Sequence, residues 1–192
     1  MRYNNKTSCP HALAIACAVL LGLWGSCATH AAEPQGPGIY VESGRVVDGS
    51  VHTSMTAVGV RSSVTHTFWE GHISLRWDIY LSEWRTYAAP SGRRHFTQAG
   101  VVPMFRYRFD RGASPWFVEG GVGLSYLSAS YSNRVKEFST QWNFSDHLGV
   151  GRNFGIDRQH ELGLYVKHVS NAGIKSPNPG ETFVQLRYGY NF

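Results

Sequence analysis

The last 32 residues decide the fold: Glu161–Phe192, ELGLYVKHVSNAGIKSPNPGETFVQLRYGYNF. They predict two β-strands joined by a loop rich in Pro, Asn and Gly. Alternate residues of a strand share one face, and on the first strand these are Leu162, Leu164, Val166, His168 and Ser170. Strands of a membrane barrel turn their apolar face to lipid and their polar face inward. A His and a Ser at the end of a lipid-facing stripe are unusual unless they act on lipid.

The rest of the chain repeats this alternation and predicts an all-β protein. Helix signals are scarce, and no stretch has the composition of a domain linker. Eight strands are predicted, at residues 37–47, 52–64, 71–83, 94–109, 115–130, 139–154, 160–170 and 181–192. Charged residues lie opposite the apolar faces, namely Arg76, Asp78, Arg106, Arg108, Glu119 and Arg187. The alternation fits less well in the first two strands and at Asp146, where we expect bulges.

Two architectures are compatible with alternation: a soluble sandwich with the charges in water, and a membrane barrel with the charges paired in its lumen. Three features favour the barrel. The strand number is even, aromatic residues cluster at strand ends as in interfacial girdles, and the chain ends in an aromatic residue, Phe192. That ending resembles the last strand of bacterial outer-membrane proteins. We predict an eight-stranded antiparallel transmembrane β-barrel over residues 32–192.

The lengths of the connections predict how the barrel is oriented. The connections 65–70, 110–114 and 155–159 are short, whereas 84–93, 131–138 and 171–180 are longer and richer in Pro, Ser and charge. Outer-membrane barrels have short periplasmic turns and long external loops. With both termini periplasmic, the seventh predicted strand ends at the outer rim. His168 and Ser170 are then expected at the level of the outer leaflet.

The N-terminus predicts a signal peptide, residues 1–31. A basic start is followed by an apolar run, Ala12–Trp24, and then by small residues that allow cleavage after Ala28 or Ala31. A lipoprotein signal ending at Cys27 is a poorer match, because Trp24 is too bulky for the usual small or aliphatic position. All three cysteines precede residue 32, so a mature chain has no thiol for a disulfide or a metal. Cleavage lowers the net charge from +5 to +3, since two basic residues leave with the segment.

His168, Ser170 and Glu181 are the candidates for chemistry. Serine is a weak nucleophile until a base takes its proton, and a catalytic imidazole needs an acid that orients it and stabilises its charged form. In a regular last strand, Glu181 shares the inward face of Phe183, so we expect a bulge there that turns the acid outward. The spacing alone does not distinguish a catalytic pair from a chance pair of rim residues. No spacing among the other histidines suggests a metal site.

The string His168-Val169-Ser170-Asn171-Ala172-Gly173, followed by a Pro/Asn/Gly loop and Glu181, resembles the lipid A 3-O-deacylase (PagL) family. The resemblance implies an outer-membrane esterase that acts on lipopolysaccharide, with His168 as base, Ser170 as nucleophile and Glu181 as orienting acid. It also implies an oxyanion hole made by Asn171 and the Gly173 N–H. In the family the acid lies one residue further from the histidine. We expect no cofactor, metal or nucleic-acid partner, and a homodimer is left open.

Three other interpretations remain. A non-enzymatic structural or adhesive barrel predicts that Ser170 is replaceable without consequence. An acyltransferase with its site in the lumen predicts catalytic residues on the inward face. A soluble lipocalin-like barrel needs an apolar lumen, which the charged residues of the inward faces argue against.

Overall fold

The chain forms a closed, antiparallel eight-stranded β-barrel. The structure is a computed structural model, which describes residues 34–47, 51–87 and 90–192. The strands are β1 (Gly38–Val46), β2 (Thr53–Arg61), β3 (His66–Phe68), β4 (Ile73–Thr86), β5 (His95–Arg108), β6 (Trp116–Leu127), β7 (Trp142–Phe154), β8 (His160–Ser170) and β9 (Glu181–Asn191). Within the described ranges, no helix is long and apolar enough to cross a membrane. The predicted signal peptide lies outside these ranges.

The eight long strands close the barrel, and the short β3 continues the line of β2. Neighbours in sequence pair in order, β1 pairs with β9, and β2 pairs with β4. Between Arg61 and His66 four residues face only two residues of β4, because Arg61 pairs with Asp78 and His66 with Leu75. The expected bulge of the second strand is therefore present. The register is continuous through β1 and through Asp146 in β7, so the bulges expected there are absent.

The two ends of the barrel differ as predicted. The end that holds both described termini, where Gly38 pairs with Asn191, is closed by tight turns. Three of these contain a short 3-10 helix, at Trp69–Gly71, Phe109–Gly112 and Ile156–Arg158. At the opposite end lie the longer connections, including residues 128–141 and 171–180. The candidate residues of β8 and β9 lie at this second end, which we call the loop end.

The predicted division into an apolar outer face and a polar lumen is confirmed. On β8, Leu164 is 53% exposed and Val166 43%, whereas the intervening Tyr165 and Lys167 are buried. The same alternation runs through the other long strands and places a continuous apolar belt on the outside. Such a belt on a closed barrel is the surface that a bilayer covers.

Buried ion pairs fill the middle of the lumen. Arg187 lies 2.8 Å from Glu42 and 2.9 Å from Asp78. Arg106 lies 2.6 Å from Glu119 and also pairs with Glu161, at 2.7 Å. The predicted network is therefore present, and Glu42, Arg61 and Glu161 extend it. Arg76, also predicted as a member, donates to the backbone carbonyls of Pro34, Gly36 and Ser62.

Above this network, the loop end of the lumen holds an aromatic cluster. Its large members are Met55, Trp84, Phe96, Leu127, Tyr131, Phe138, Val169 and Phe183. Trp84 packs against Phe183 in a tilted arrangement with ring centroids 4.7 Å apart, and Tyr131 lies edge-on to Trp84. Val169 and Phe183 belong to the two strands that carry the candidate residues. The cluster therefore fixes the inner side of the wall whose outer side holds His168.

Candidate active site

His168 and Ser170 project from the outer face at the loop end of β8. Both are half-buried, while Val169 between them is fully buried in the aromatic cluster. Strand parity alone produces this placement, because consecutive side chains point to opposite faces. The prediction that the pair lies outside the barrel is confirmed. The acyltransferase alternative requires a Ser170 that faces the lumen, whereas Ser170 lies on the outer face.

The two side chains both lie against Gly180. A Cβ atom on Gly180 would lie 2.6 Å from His168 Cε1, 3.0 Å from its Nε2 and 3.5 Å from Ser170 Cβ. Gly180 also has φ +65, a backbone conformation that favours glycine. The absence of a side chain at this position therefore leaves room for the imidazole beside Ser170. The hydrogen bonds of the described residues do not include one between Nε2 and Ser170 Oγ. Catalytic hydrogen bonds often form only when substrate is bound.

The other nitrogen of the ring is engaged by β9. His168 Nδ1 lies 2.9 Å from Thr182 Oγ1, and the two residues are directly paired across the strands. With Nδ1 held by this hydroxyl, Nε2 is the nitrogen on the side of Gly180 and Ser170. Sequence reasoning missed Thr182, although it shares the outward parity of Val184 and is the cross-strand partner of His168.

Glu181 lies on the opposite side of the wall. The strand β9 starts regularly, with Val169 paired to Glu181 and His168 to Thr182. The predicted bulge at Glu181–Phe183 is therefore wrong, because a regular pleat satisfies both the β8 ladder and the burial of Phe183. Glu181 is 1% exposed, and its carboxylate lies 2.8 Å from Lys136 Nζ. The structure brings His168 and Ser170 together and does not bring Glu181 to them.

The surroundings of Glu181 tie it to the 128–141 connection. Tyr131 donates or accepts a hydrogen bond with Thr53 at 2.7 Å and accepts one from Asn133. Burial raises the pKa of the Tyr131 phenol, and the nearby Glu181 carboxylate raises it further. This acid therefore organises the loop end of the lumen.

The two predicted oxyanion donors are both occupied within the loop. The Asn171 side-chain amide donates to Lys175 O at 2.8 Å, to Ser139 Oγ at 3.0 Å and to Thr140 Oγ1 at 3.3 Å. The Gly173 N–H donates to Asn171 Oδ1 at 3.0 Å. Asn171 is 3% exposed and thus anchors the 171–180 connection to residues 139–140. In this arrangement both donors make hydrogen bonds within the protein and are not directed at a substrate oxygen.

A backbone N–H that sequence reasoning did not select contacts Ser170. The Ala172 N–H donates to Ser170 Oγ at 3.5 Å. Ala172 and Gly173 have φ +53 and φ +78, so the chain turns sharply immediately after Ser170. This turn is what exposes backbone donors beside the hydroxyl.

Asp146 is a third outward residue that sequence reasoning misplaced. It was assigned to a bulge, but β7 is regular and pairs Asp146 directly with His168. Asp146 is half-buried on the outer face, between the buried Ser145 and His147. A sequence signal existed, because Asp146 has the same parity as Leu148 and Val150, which face lipid.

The residues of this site contain no cluster of the kind that binds a metal ion. Across the described part of the chain, no group of three or more His, Cys, Asp or Glu side chains is placed to hold one. The chemistry available at the site is that of a hydroxyl, an imidazole and backbone amides. Such a set supports acyl transfer through a serine nucleophile.

Comparisons with known proteins identify a family model and relatives that this sequence resembles. The family model described as lipid A 3-O-deacylase (PagL) matches residues 51–191. A lipid A deacylase PagL of Bordetella bronchiseptica is 32% identical over 173 residues, which is 87% of this chain and 90% of the relative. A lipid A deacylase PagL of Pseudomonas aeruginosa is 26% identical over 162 residues, 78% of this chain and 89% of that one.

A solved structure shares the fold. The crystal structure described as the outer membrane enzyme PagL superposes with a TM-score of 0.68 at 21% identity, over 81% of this chain and 99% of the other. The family model covers well over half of the sequence, and the Bordetella relative is similar along nearly its whole length. The chain therefore belongs to the lipid A 3-O-deacylase (PagL) family.

Proposed function

We propose that this protein is an outer-membrane esterase that removes the 3-O-linked acyl chain of lipid A, with Ser170 as nucleophile and His168 as general base. Membership of the PagL family supports the activity and the lipid A substrate. One structural observation supports the residue roles most directly. The imidazole of His168 and the side chain of Ser170 both lie against Gly180 on the lipid-facing side of the wall.

The position of the pair restricts the substrate to a membrane lipid. Leu164 and Val166 precede it on the same exposed stripe, and a bilayer covers that stripe in a membrane-embedded barrel. With both termini periplasmic, the loop end is the external end, and the multi-pass barrel presents Ser170 to the outer leaflet. Lipopolysaccharide fills that leaflet and carries acyl esters at the depth of the glycolipid headgroup.

The chemistry is a two-step acyl transfer to water. Ser170 Oγ attacks the ester carbonyl carbon while His168 Nε2 takes the hydroxyl proton. The tetrahedral intermediate collapses, the ester C–O bond breaks, and the imidazolium returns its proton to the 3-oxygen of the sugar. Neutral His168 then activates a water molecule that hydrolyses the acyl-serine. A 3-hydroxy fatty acid is released and the Ser170 hydroxyl is regenerated.

The oxyanion that forms in each step needs hydrogen-bond donors. We assign this role to Asn171 and the Gly173 N–H, and each donor is worth about 3–4 kcal/mol in a preorganised site. Both donors are engaged within the 171–180 connection in the structure. Substrate entry must therefore release the Gly173 N–H from Asn171 Oδ1. Ala172 N–H, which already lies against Ser170 Oγ, is the donor that needs the least movement.

The part played by Glu181 stays a prediction. Its carboxylate faces the lumen and pairs with Lys136, so the two-step reaction above runs without a hydrogen bond from Glu181 to His168. For Glu181 to orient the ring, the start of β9 must leave its regular pairing. The Glu181→Gln variant, described below, distinguishes a Glu181 that stays in the lumen from one that contacts His168.

Mass spectrometry of lipid A tests the function. Cells of a lipopolysaccharide-producing host are compared with the wild-type protein, with Ser170→Ala, with His168→Ala and with an empty vector. The wild type should remove one 3-hydroxyacyl group, and both variants should leave lipid A intact while remaining folded, heat-modifiable barrels. Ser54→Ala is a matched control, because Ser54 is also a half-buried outward serine, on β2.

Two results would contradict this assignment. Release of the 3-O chain by Ser170→Ala protein would mean that another group is the nucleophile. Unchanged lipid A with wild-type protein correctly inserted in the outer membrane would favour a structural or adhesive barrel.

A further inference from the structure

His168 lies at the centre of a row of three outward residues. On one side it pairs with Asp146 of β7, and on the other with Thr182 of β9. All three side chains are half-buried on the outer face. Side chains directly opposite each other in antiparallel strands have Cβ atoms about 4.5–5.5 Å apart. The general base is therefore flanked by a hydroxyl and a carboxylate, and neither was assigned to the site from the sequence.

Thr182 determines which way the imidazole points. Its Oγ1 lies 2.9 Å from His168 Nδ1. When Nδ1–H donates to this oxygen, Nε2 carries the lone pair and lies on the Gly180 side, where Ser170 is. A general base for Ser170 needs this tautomer and this orientation. A hydroxyl can supply both, but it supplies no negative charge to the imidazolium that forms during the reaction.

Asp146 supplies that charge on the same face. Among the described residues it has no hydrogen-bonding or ionic partner. A carboxylate on the lipid-facing side of a barrel strand is costly, and ionisable residues at membrane depth are most often functional. The other charged groups near His168 do not share this face of the wall. Glu181, Lys136 and Lys167 lie on the lumen side, and Lys175 lies in the exposed 171–180 loop. Asp146 is thus the acid that shares a face with the imidazole.

We propose that Thr182 and Asp146 together perform the task that a single acid performs in a Ser-His-acid triad, an assignment that rests on the proposed function. Thr182 holds Nδ1 and turns Nε2 to Ser170, and Asp146 stabilises the imidazolium electrostatically. Both are positioning residues, since neither touches the ester. Glu181 serves the loop end of the lumen through Lys136 instead.

Kinetics on purified protein in mixed micelles with lipid A test the two roles. Thr182→Val should lower kcat by about 10-fold or more with little change in KM, and Thr182→Ser should restore most of it. Asp146→Asn should lower kcat with little change in KM, because the imidazolium that forms in the transition state loses its counter-charge. Thr56→Val on the outer face of β2 and Asp157→Asn in an exposed turn are matched controls, which should behave as wild type.

A second measurement does not depend on the reaction. In 15N-histidine NMR spectra of the detergent-solubilised protein, the His168 signals are identified by their loss in His168→Gln. Wild type should show the Nδ1–H tautomer of His168. Thr182→Val should lose this preference, and Asp146→Asn should change the chemical shifts of the His168 ring nitrogens. These spectra report on the ring even if lipid A is not the substrate.

The outcome that overturns the assignment is specific. Thr182→Val and Asp146→Asn would match wild type in kcat and in the NMR spectra of His168, while Glu181→Gln abolishes turnover in a barrel of unchanged stability. That result would identify Glu181 as the third member of the triad. Inactive wild-type protein whose His168 spectra respond to both variants as expected would refute the proposed function and leave the Thr182–Asp146 assignment standing.

Discussion

Gly180 and His168 are in contact beside the start of β9, and this contact limits the space around the proposed catalytic pair. A methyl group at Gly180 would lie 2.6 Å from His168 Cε1, closer than carbon atoms approach without displacement. The ring must therefore move. Its movement displaces Nε2 relative to Ser170, and the proposed reaction depends on the position of Nε2.

Gly180→Ala should accordingly lower deacylation by about 100-fold, as expected for a misplacement on the scale of 1 Å. Part of any effect could come from strain, because Gly180 has φ +65. Gly92→Ala is the matched control, since Gly92 has φ +75 but a Cβ there would meet nothing within 4 Å. Both variants pay a left-handed backbone cost, and only Gly180→Ala should lose activity. Equal losses in the two would show that strain, rather than the ring, is responsible.

Asn171 should prove to be the clamp that holds the 171–180 connection. Its amide donates to oxygens of Lys175, Ser139 and Thr140. Asn171→Asp keeps the acceptor for the Gly173 N–H but replaces the donor by an oxygen that repels these acceptors. We expect the loop to detach and trypsin to cleave after Lys175, as followed by electrophoresis of the folded barrel.

Asn178→Asp is the control for that experiment. The Asn178 side chain contributes an acceptor, Oδ1, to the Asn171 N–H at 3.0 Å. A carboxylate provides the same acceptor, so the loop should stay protected from trypsin. Protection in Asn171→Asp as well would mean that the contacts of the amide do not hold the loop.

Strand parity explains which parts of the site could be predicted from the sequence. His168 and Ser170 share a face by a rule that depends only on spacing, so their outward position followed from the sequence. The same rule puts Glu181 inside, and the expected bulge was a departure from it made to fit a triad. The pairing register decides the rest. That Asp146 lies opposite His168 depends on how β7 aligns with β8, which the sequence of either strand does not specify.

The lumen shows a similar limit. Inward charges were predicted from alternation, but the choice of partners depends on which side chains meet across the barrel. Arg106 reaches both Glu119 on the adjacent β6 and Glu161 on the more distant β8. The aromatic cluster at the loop end was missed, although Trp84, Phe96 and Phe183 have inward parity. Alternation indicates a face, and only the closed barrel brings these faces together.

The ion pair between Arg106 and Glu119 provides the last prediction. The two groups are 2.6 Å apart and almost fully buried, and Arg106 also stacks on Phe117 at 3.7 Å from the ring centroid. Glu119→Ala removes one carboxylate from a site where the guanidinium cannot reach bulk water. Breaking a buried pair in this way typically costs about 3–5 kcal/mol. We therefore expect a clearly lower Tm of the detergent-solubilised barrel, measured by loss of heat-modified migration on gels and by circular dichroism.

Glu83→Ala is the control, because the Glu83 pair with His95 is solvent-exposed, and exposed pairs contribute about 1 kcal/mol or less. Glu161 remains 2.7 Å from Arg106 in the variant, so the barrel should still assemble and retain deacylation below the new Tm. A Glu119→Ala barrel as stable as Glu83→Ala would show that water enters the lumen and solvates Arg106.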